Sequence, residues 1–180
     1  MSVRRRIWGA VVVGALVLAC GEGRAIFNID VLSYKPQLAD TVPYTVPGGT
    51  SITGAQTAFE LRLPPLGNSI VDSVTARYAS TVLNTAGGGR IILEIFFAND
   101  STGIYSSPIR VVDTAVVAGP DTQVVGPLSV PLFADSLFSQ SSLWVGVRGS
   151  IVADPGPAMT GRVVTVSVLG LRIVLQDKIF

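Results

Sequence analysis

Apolar and polar positions alternate with a period of two along most of the chain, in short runs broken by glycine and proline. Ala58 to Leu63 is the clearest run: Phe59, Leu61 and Leu63 fall on one side, Glu60 and Arg62 on the other. This alternation marks a strand with one buried face. Ala25 to Ser33 sets Ile26, Asn28 and Asp30 against Phe27, Ile29 and Val31. Further strands are predicted over Ile70 to Leu83, Arg90 to Phe97, Ile109 to Val117, Gln123 to Pro131, Leu143 to Val152 and Arg162 to Leu175. Pro64-Pro65, Gly67-Asn68, Gly119-Pro120-Asp121 and Asp154-Pro155-Gly156-Pro157 punctuate them. Asn84 to Gly89 reads as a hairpin connection, and Pro43, Pro47, Gly48 and Gly49 as part of a long irregular stretch. One or two helical turns are predicted from Asp135, as N-cap, through Gln140. In the last strand Val164, Val166 and Val168 have one parity and Leu169, Leu171, Ile173 and Leu175 the other. Either a bulge near Gly170 turns both sets inward, or the strand is apolar on both sides.

About eight strands with frequent turns predict an all-β fold, an antiparallel two-sheet β-sandwich of jelly-roll type. An immunoglobulin-type sandwich is the alternative; it needs fewer residues and its cysteine pair is missing. The domain is expected to span residues 26–180.

The first residues follow a different pattern. Arg4, Arg5 and Arg6 precede an apolar run, Ile7 to Ala19, of 13 residues. A bilayer core of about 30 Å needs roughly 20 residues, so the run has the length of a secretory signal core rather than of a span. Val17-Leu18-Ala19-Cys20 contains the one cysteine of the chain. This stretch resembles the type II signal of bacterial lipoproteins. The resemblance implies cleavage of residues 1–19, a diacylglyceryl group on the Cys20 sulfur and an acyl chain on its new amine. Residues 20–25 are then the lipidated cysteine and a short tether. Gly21, rather than Asp, follows Cys20, which implies the outer membrane of a bacterial envelope in preference to the inner. An ordinary secretory signal cut near Ala19, or an uncleaved anchor, leaves Cys20 incidental.

Composition narrows the chemistry. With the three arginines of the signal removed, ten basic side chains face twelve acidic ones, which argues against a nucleic-acid partner. Charged residues make up 14% of the chain against a usual 25% or so, so either strands are buried on both faces or a partner covers an apolar surface. There is no histidine. That removes Ser-His and Cys-His nucleophile systems and the common zinc ligand sets, and no cofactor is indicated. Glycoside hydrolysis needs two carboxylates across a scissile bond, and Glu22, Glu60 and Glu94 are the only glutamates. Nothing pairs them, so the domain is expected to be non-enzymatic.

A few residues remain as candidates. Glu94 lies between Ile92 and Phe96 on one face of an apolar strand, where a carboxylate must be paired or solvated. It is either a ligand contact on a concave sheet or half of a cross-strand ion pair with an arginine such as Arg148 or Arg172. Trp144 shares a parity with Gly146 and Arg148, opposite Leu143, Val145 and Val147. It is a sugar-stacking platform, joined by Tyr34, Tyr44, Tyr78 or Tyr105, or a core filler. Asn99-Asp100-Ser101-Thr102-Gly103 has oxygen ligands for a hard cation but one carboxylate, and is equally the composition of a turn. Phe59 to Ser80 loosely resembles jelly-roll modules of bacterial surface proteins, which implies a surface or carbohydrate-associated role and transfers no ligand residue. The expected partners are the membrane, through lipid on Cys20, and envelope proteins or surface glycans.

Overall fold

A computed structural model of the chain describes residues 23–35, 41–63, 69–132 and 136–176. Cys20 and the signal segment lie outside them, as do 64–68 and the predicted N-cap Asp135. Among the described residues ten strands form two antiparallel sheets. The first is ordered β1 (Arg24–Asp30), β10 (Met159–Gln176), β5 (Ile70–Ala86), β8 (Asp121–Leu132), with β2 (Thr41–Val46) also on β10. The second is ordered β3 (Ser51–Ala55), β9 (Ser142–Ala153), β6 (Gly89–Ala98), β7 (Arg110–Val117), with β4 (Phe59–Arg62) also on β9. β1 pairs with the second half of β10 and β2 with the first, so the two are one interrupted edge. β3 and β4 divide β9 in the same way. Counted so, each sheet has four strands, and the chain crosses between sheets as a jelly roll does.

Alternation decides which side chains fill the space between the sheets. Phe59, Leu61 and Leu63 are buried as predicted, and Glu60 and Arg62 are exposed. From the second sheet Ile91, Leu93, Ile95 and Phe97 meet Val74, Ala76, Tyr78 and Val82 of the first, with Leu169, Leu171, Ile173 and Leu175 beside them. Burying a large aliphatic side chain contributes about 1.5–3 kcal/mol each, and no disulfide supplements it.

Four readings change. The sequence between 41 and 55 is not irregular: it holds β2 and β3, too short and too interrupted by Pro43 and Gly54 to carry a visible alternation. Asn84 to Gly89 is not a hairpin, because β5 and β6 lie in different sheets. Gly87, at φ 67°, makes the crossing while packed so closely on Ala158 that a Cβ would sit 2.6 Å from its carbonyl oxygen. The Asn84 amide holds the crossing by donating to the carbonyls of Gly87 (2.6 Å) and Gly119 (2.9 Å). The predicted helical turns are a 3-10 turn, Ser136–Ser139. In β10 the irregularity precedes Gly170: the strand runs from Val164 to Val168 while β5 runs only from Thr81 to Ala79. Inward parity is the same on both sides of it, and Val168 stays outside at 41% exposure.

β1 begins at Arg24, and Arg24 and Ala25 pair with Gln176 and Leu175. Three edge strands, β2, β8 and β7, are guarded against pairing with other chains. Pro43 interrupts the donor row of β2 and Pro131 that of β8. On β7 the inward side chain of Asp113 does the same with charge. That carboxylate lies near the buried Tyr78 phenol; burial first and Asp113 second raise the phenol far above its ordinary range.

Tyr44 reaches inward over Gly161, where a Cβ would lie 2.6 Å from its hydroxyl, and donates to Asn84 Oδ1 at 2.9 Å. Burial raises the phenol's pKa. Tyr44→Phe is expected to destabilise the fold by about 1–2 kcal/mol by leaving Asn84 one partner short. Urea midpoints measure this, and an unchanged midpoint would remove the hydrogen bond from the account.

Candidate functional site

The outward face of the second sheet gathers most of the candidate residues. Glu94 on β6 stands opposite Arg148 on β9 and Val112 on β7. Arg148 Nε donates to Glu94 Oε2 at 2.6 Å, and Arg110 Nη1 to Oε1 at 3.3 Å. Both carboxylate oxygens are therefore held by cations, and the ion-pair reading of Glu94 with Arg148 is the one observed. Arg172, the other partner considered, lies on β10 in the first sheet. The bond from Arg148 chiefly lowers the Glu94 pKa, against the opposing effect of burial.

Phe96, two residues on, explains why this outward carboxylate is only 9% exposed. The 3-10 turn Ile104–Ser106 folds over the sheet and covers Phe96 completely. Tyr105 meets the Phe96 ring edge-on at 5.5 Å between centroids. The Arg148 guanidinium sits 4.7 Å above the same ring and donates to the Tyr105 carbonyl at 3.3 Å. Arg110 approaches the ring to 5.9 Å. Gly146 makes the cover possible, since a Cβ there would lie 3.0 Å from the Tyr105 ring. The Tyr105 hydroxyl donates to the carbonyl of Gln56, tying the turn to the end of β3. The cluster is thus an ion pair sealed under an aromatic cap, with its charges already matched.

A depressed carboxylate contributes stability that is complete above its unfolded pKa, ordinarily 4.5, and is lost as pH falls through the folded value. The wild-type chain is therefore expected to hold constant stability above about pH 5 and to lose it on further acidification. The difference from Glu94→Gln, read from urea midpoints at stepped pH, should shrink over that acid window. A difference that stays constant would show that the bond from Arg148 does not tune Glu94.

Trp144 is half-buried on the outward face, opposite Ala98 on β6 and Glu60 on β4, while Leu143, Val145 and Val147 are buried behind it. It is not a core filler. Arg148 shares its face, but the capped Gly146 lies between them. Of the tyrosines considered with it, Tyr44 and Tyr78 are buried in the core, Tyr34 is exposed on the turn after β1, and Tyr105 belongs to the cap. The structure does not assemble them into one platform. Asn99 to Gly103 forms the loop that leads into the cap: Asn99 Oδ1 accepts from Gln140 Nε2 at 3.1 Å, and Gly103, at φ 71°, starts the 3-10 turn. Among the described residues no three acidic or sulfur ligands converge.

Sequence reasoning missed Phe96, Tyr105 and Arg110 as members of the cluster. One signal was present: Phe96 has the parity of Glu94, and a large aromatic residue on an outward face needs a cover. The β2 and β3 strands were missed too, and with them an opening between the sheets. Val42 and Ile52 point inward there by register, yet each remains 43% exposed.

No family model and no curated protein matches the sequence. Among solved structures the chain is similar to that of infectious bursal disease virus Gx strain, at 9% identity and a TM-score of 0.43, over 88% of this chain. The chain spans about a third of that protein's length, 33%. It is similar also to TmCBM61, solved in complex with β-1,4-galactotriose, at 9% identity and a TM-score of 0.34, over 88% of this chain and 90% of the other. A third is the Family 11 carbohydrate-binding module from Clostridium thermocellum, at 9% identity and a TM-score of 0.27, over 87% and 97%. These likenesses concern the two-sheet architecture and no residue of the site.

Proposed function

We propose that this chain is a lipid-anchored protein of the bacterial envelope, held by lipid on Cys20 and more at home in the outer membrane than the inner. Its β-sandwich is non-enzymatic and docks another envelope protein. One observation carries the docking reading: the outward face of the second sheet is uncharged and rich in β-branched residues between two charged limits. Val112 and Val116 are 46% and 70% exposed on β7, and Thr114, Ile92, Ser150 and Thr53 continue the surface across the sheet. Arg90 bounds it on one side and the Glu94–Arg148 pair on the other. Exposed aliphatic side chains among small polar ones, bounded by charge, suit protein contact, and proline or charge on β2, β8 and β7 disfavours strand addition at those edges.

Intact-mass measurement of the membrane fraction tests the anchor: acyl mass on a chain beginning at Cys20 supports it, and an unmodified cysteine ends it. For docking, a photo-crosslinking residue at position 116 is expected to capture one envelope protein in intact cells. Thr114→Lys, at an exposed position opposite the uncharged Ile92, should abolish that capture without lowering thermal stability. A chain that crosslinks to nothing from this face does not dock there.

A second reading rests on Trp144, which is half-buried on the outward face beside Glu60, where an aromatic ring can stack on a sugar. Trp8 lies in the signal, so Trp144 is the only tryptophan expected in the mature chain. Titration with soluble envelope polysaccharide should then shift its emission. A flat titration removes the glycan reading and leaves protein docking intact.

A further inference from the structure

We propose that the opening between the two sheets is a binding site for a neutral aliphatic chain. It is a cleft of about 210 Å³ between the β2 edge of one sheet and the β3 edge of the other. From the first sheet Val42, Val163 and Val82 form a row of directly paired residues. From the second, Ile52, Ile151 and Ile91 form another. The next row of the second sheet is Gly54, Gly149 and Leu93. Two directly paired glycines face inward where a sandwich ordinarily places large side chains.

Those glycines are not there to relieve crowding. A Cβ at Gly54 or Gly149 would meet nothing within 4 Å, in contrast to Gly161 or Gly87, where one would strike backbone. Neither is at a positive φ. Interior glycine weakens a strand by roughly 0.5–1 kcal/mol relative to alanine, so this pair costs stability and leaves space that packing does not use. Beside that space Val42 and Ile52 keep their inward direction and 43% of their surface. Elsewhere the same faces are closed: Leu61, Phe97 and Ile173 have no exposure at all.

The wall chemistry selects the occupant. Among the described residues no aspartate, glutamate, lysine or arginine lines the cleft. The Tyr44 hydroxyl is engaged by Asn84, and the Gln56 carbonyl by Tyr105. A charged group would enter without a partner, whereas hydrocarbon gains by leaving water. A dry cavity of about 150 Å³ takes benzene, so this one has room for a somewhat larger group, the end of an alkyl chain. Valine, isoleucine and leucine form most of the wall, and its one aromatic ring, Tyr44, is fixed by its hydrogen bond. These are contacts for methylene groups rather than for stacking.

The test uses the full chain in phosphatidylcholine nanodiscs and 1-decanol bearing a terminal diazirine. On irradiation, label is expected on peptides carrying Val42, Ile52 or Leu93, and excess unmodified 1-decanol should remove it. Gly54→Val and Gly149→Val, made separately, should each cut that label at least tenfold, with a melting temperature equal to or above wild type. Ile26→Thr, at an exposed position of β1 away from the cleft, should leave it unchanged. Equal labelling in both valine variants overturns the proposal, as does wild-type label that decanol fails to compete. Displacement by naphthalene but not by decanol overturns the aliphatic assignment. None of these outcomes depends on lipid at Cys20 or on a docking partner.

Discussion

Arg148→Ala is expected to destabilise the fold by about 2 kcal/mol, between the costs of breaking an exposed and a buried ion pair, since its side chain is 26% exposed beside Glu94 at 12%. The guanidinium has three tasks: the 2.6 Å bond to Glu94, the bond to the Tyr105 carbonyl and the place above the Phe96 ring. Without it Glu94, 9% exposed, retains only Arg110 at 3.3 Å, whose own side chain is 47% exposed. The cap over Phe96 then loses one of its fastenings, and the Glu94 pKa rises. Urea denaturation measures the loss. Arg148→Lys should fall between wild type and alanine, since an ammonium keeps the charge but cannot make the fork of contacts. A cost below about 1 kcal/mol for alanine would mean the cluster is a surface pair of ordinary worth.

Phe97→Ala is expected to cost more, about 4 kcal/mol. Phe97 is fully buried on the inward side of β6 and meets Phe138, also fully buried, at 6.0 Å between centroids. Phe138 sits on the 3-10 turn Ser136–Ser139, which is pinned over this end of the sandwich. Removing the Phe97 ring leaves a void that β6, paired on both sides, cannot close by moving. The turn can respond, and near-ultraviolet circular dichroism should register Phe138 losing its fixed surroundings. A cost under about 2 kcal/mol, with an unchanged aromatic signal, would show that the core repacks freely at this point.

The two variants lie on opposite faces of one sheet, on the neighbouring strands β9 and β6, and the sequence reveals them unequally. Phe97 belongs to the inward set of β6 by simple alternation, as Phe59 and Leu61 do in β4. Such positions are legible because burial of one face repeats every second residue. Glu94 was legible as an anomaly, and Arg148 as a candidate partner, because cross-strand charge pairing follows from parity. Phe96, Tyr105 and Arg110 were not, since the cap comes from a loop whose path no period describes. β2 and β3 escaped for another reason: four-strand rows are made there from fragments, and Pro43 and the inward Gly54 erase the alternation. The cleft follows from that same erasure. It is written in glycines, and a glycine in sequence looks like a turn until a neighbouring strand places a second one beside it.

The pairing of β1 with β10 has a consequence in time. Arg24 is joined to Gln176 and Asp30 to Gly170, so the earliest described strand finds its partner in the latest. β2 waits on the same strand, from Thr41 opposite Val164 to Val46 opposite Met159. A chain emerging from its N-terminus cannot close the first sheet until β10 has arrived. Contacts this remote in sequence slow folding toward milliseconds to seconds. Throughout that interval both orphaned strands are open to proteases and to chaperones that bind extended segments. The last strand is therefore the latch of the whole molecule, and a truncation removing it should leave no sandwich behind rather than a smaller one.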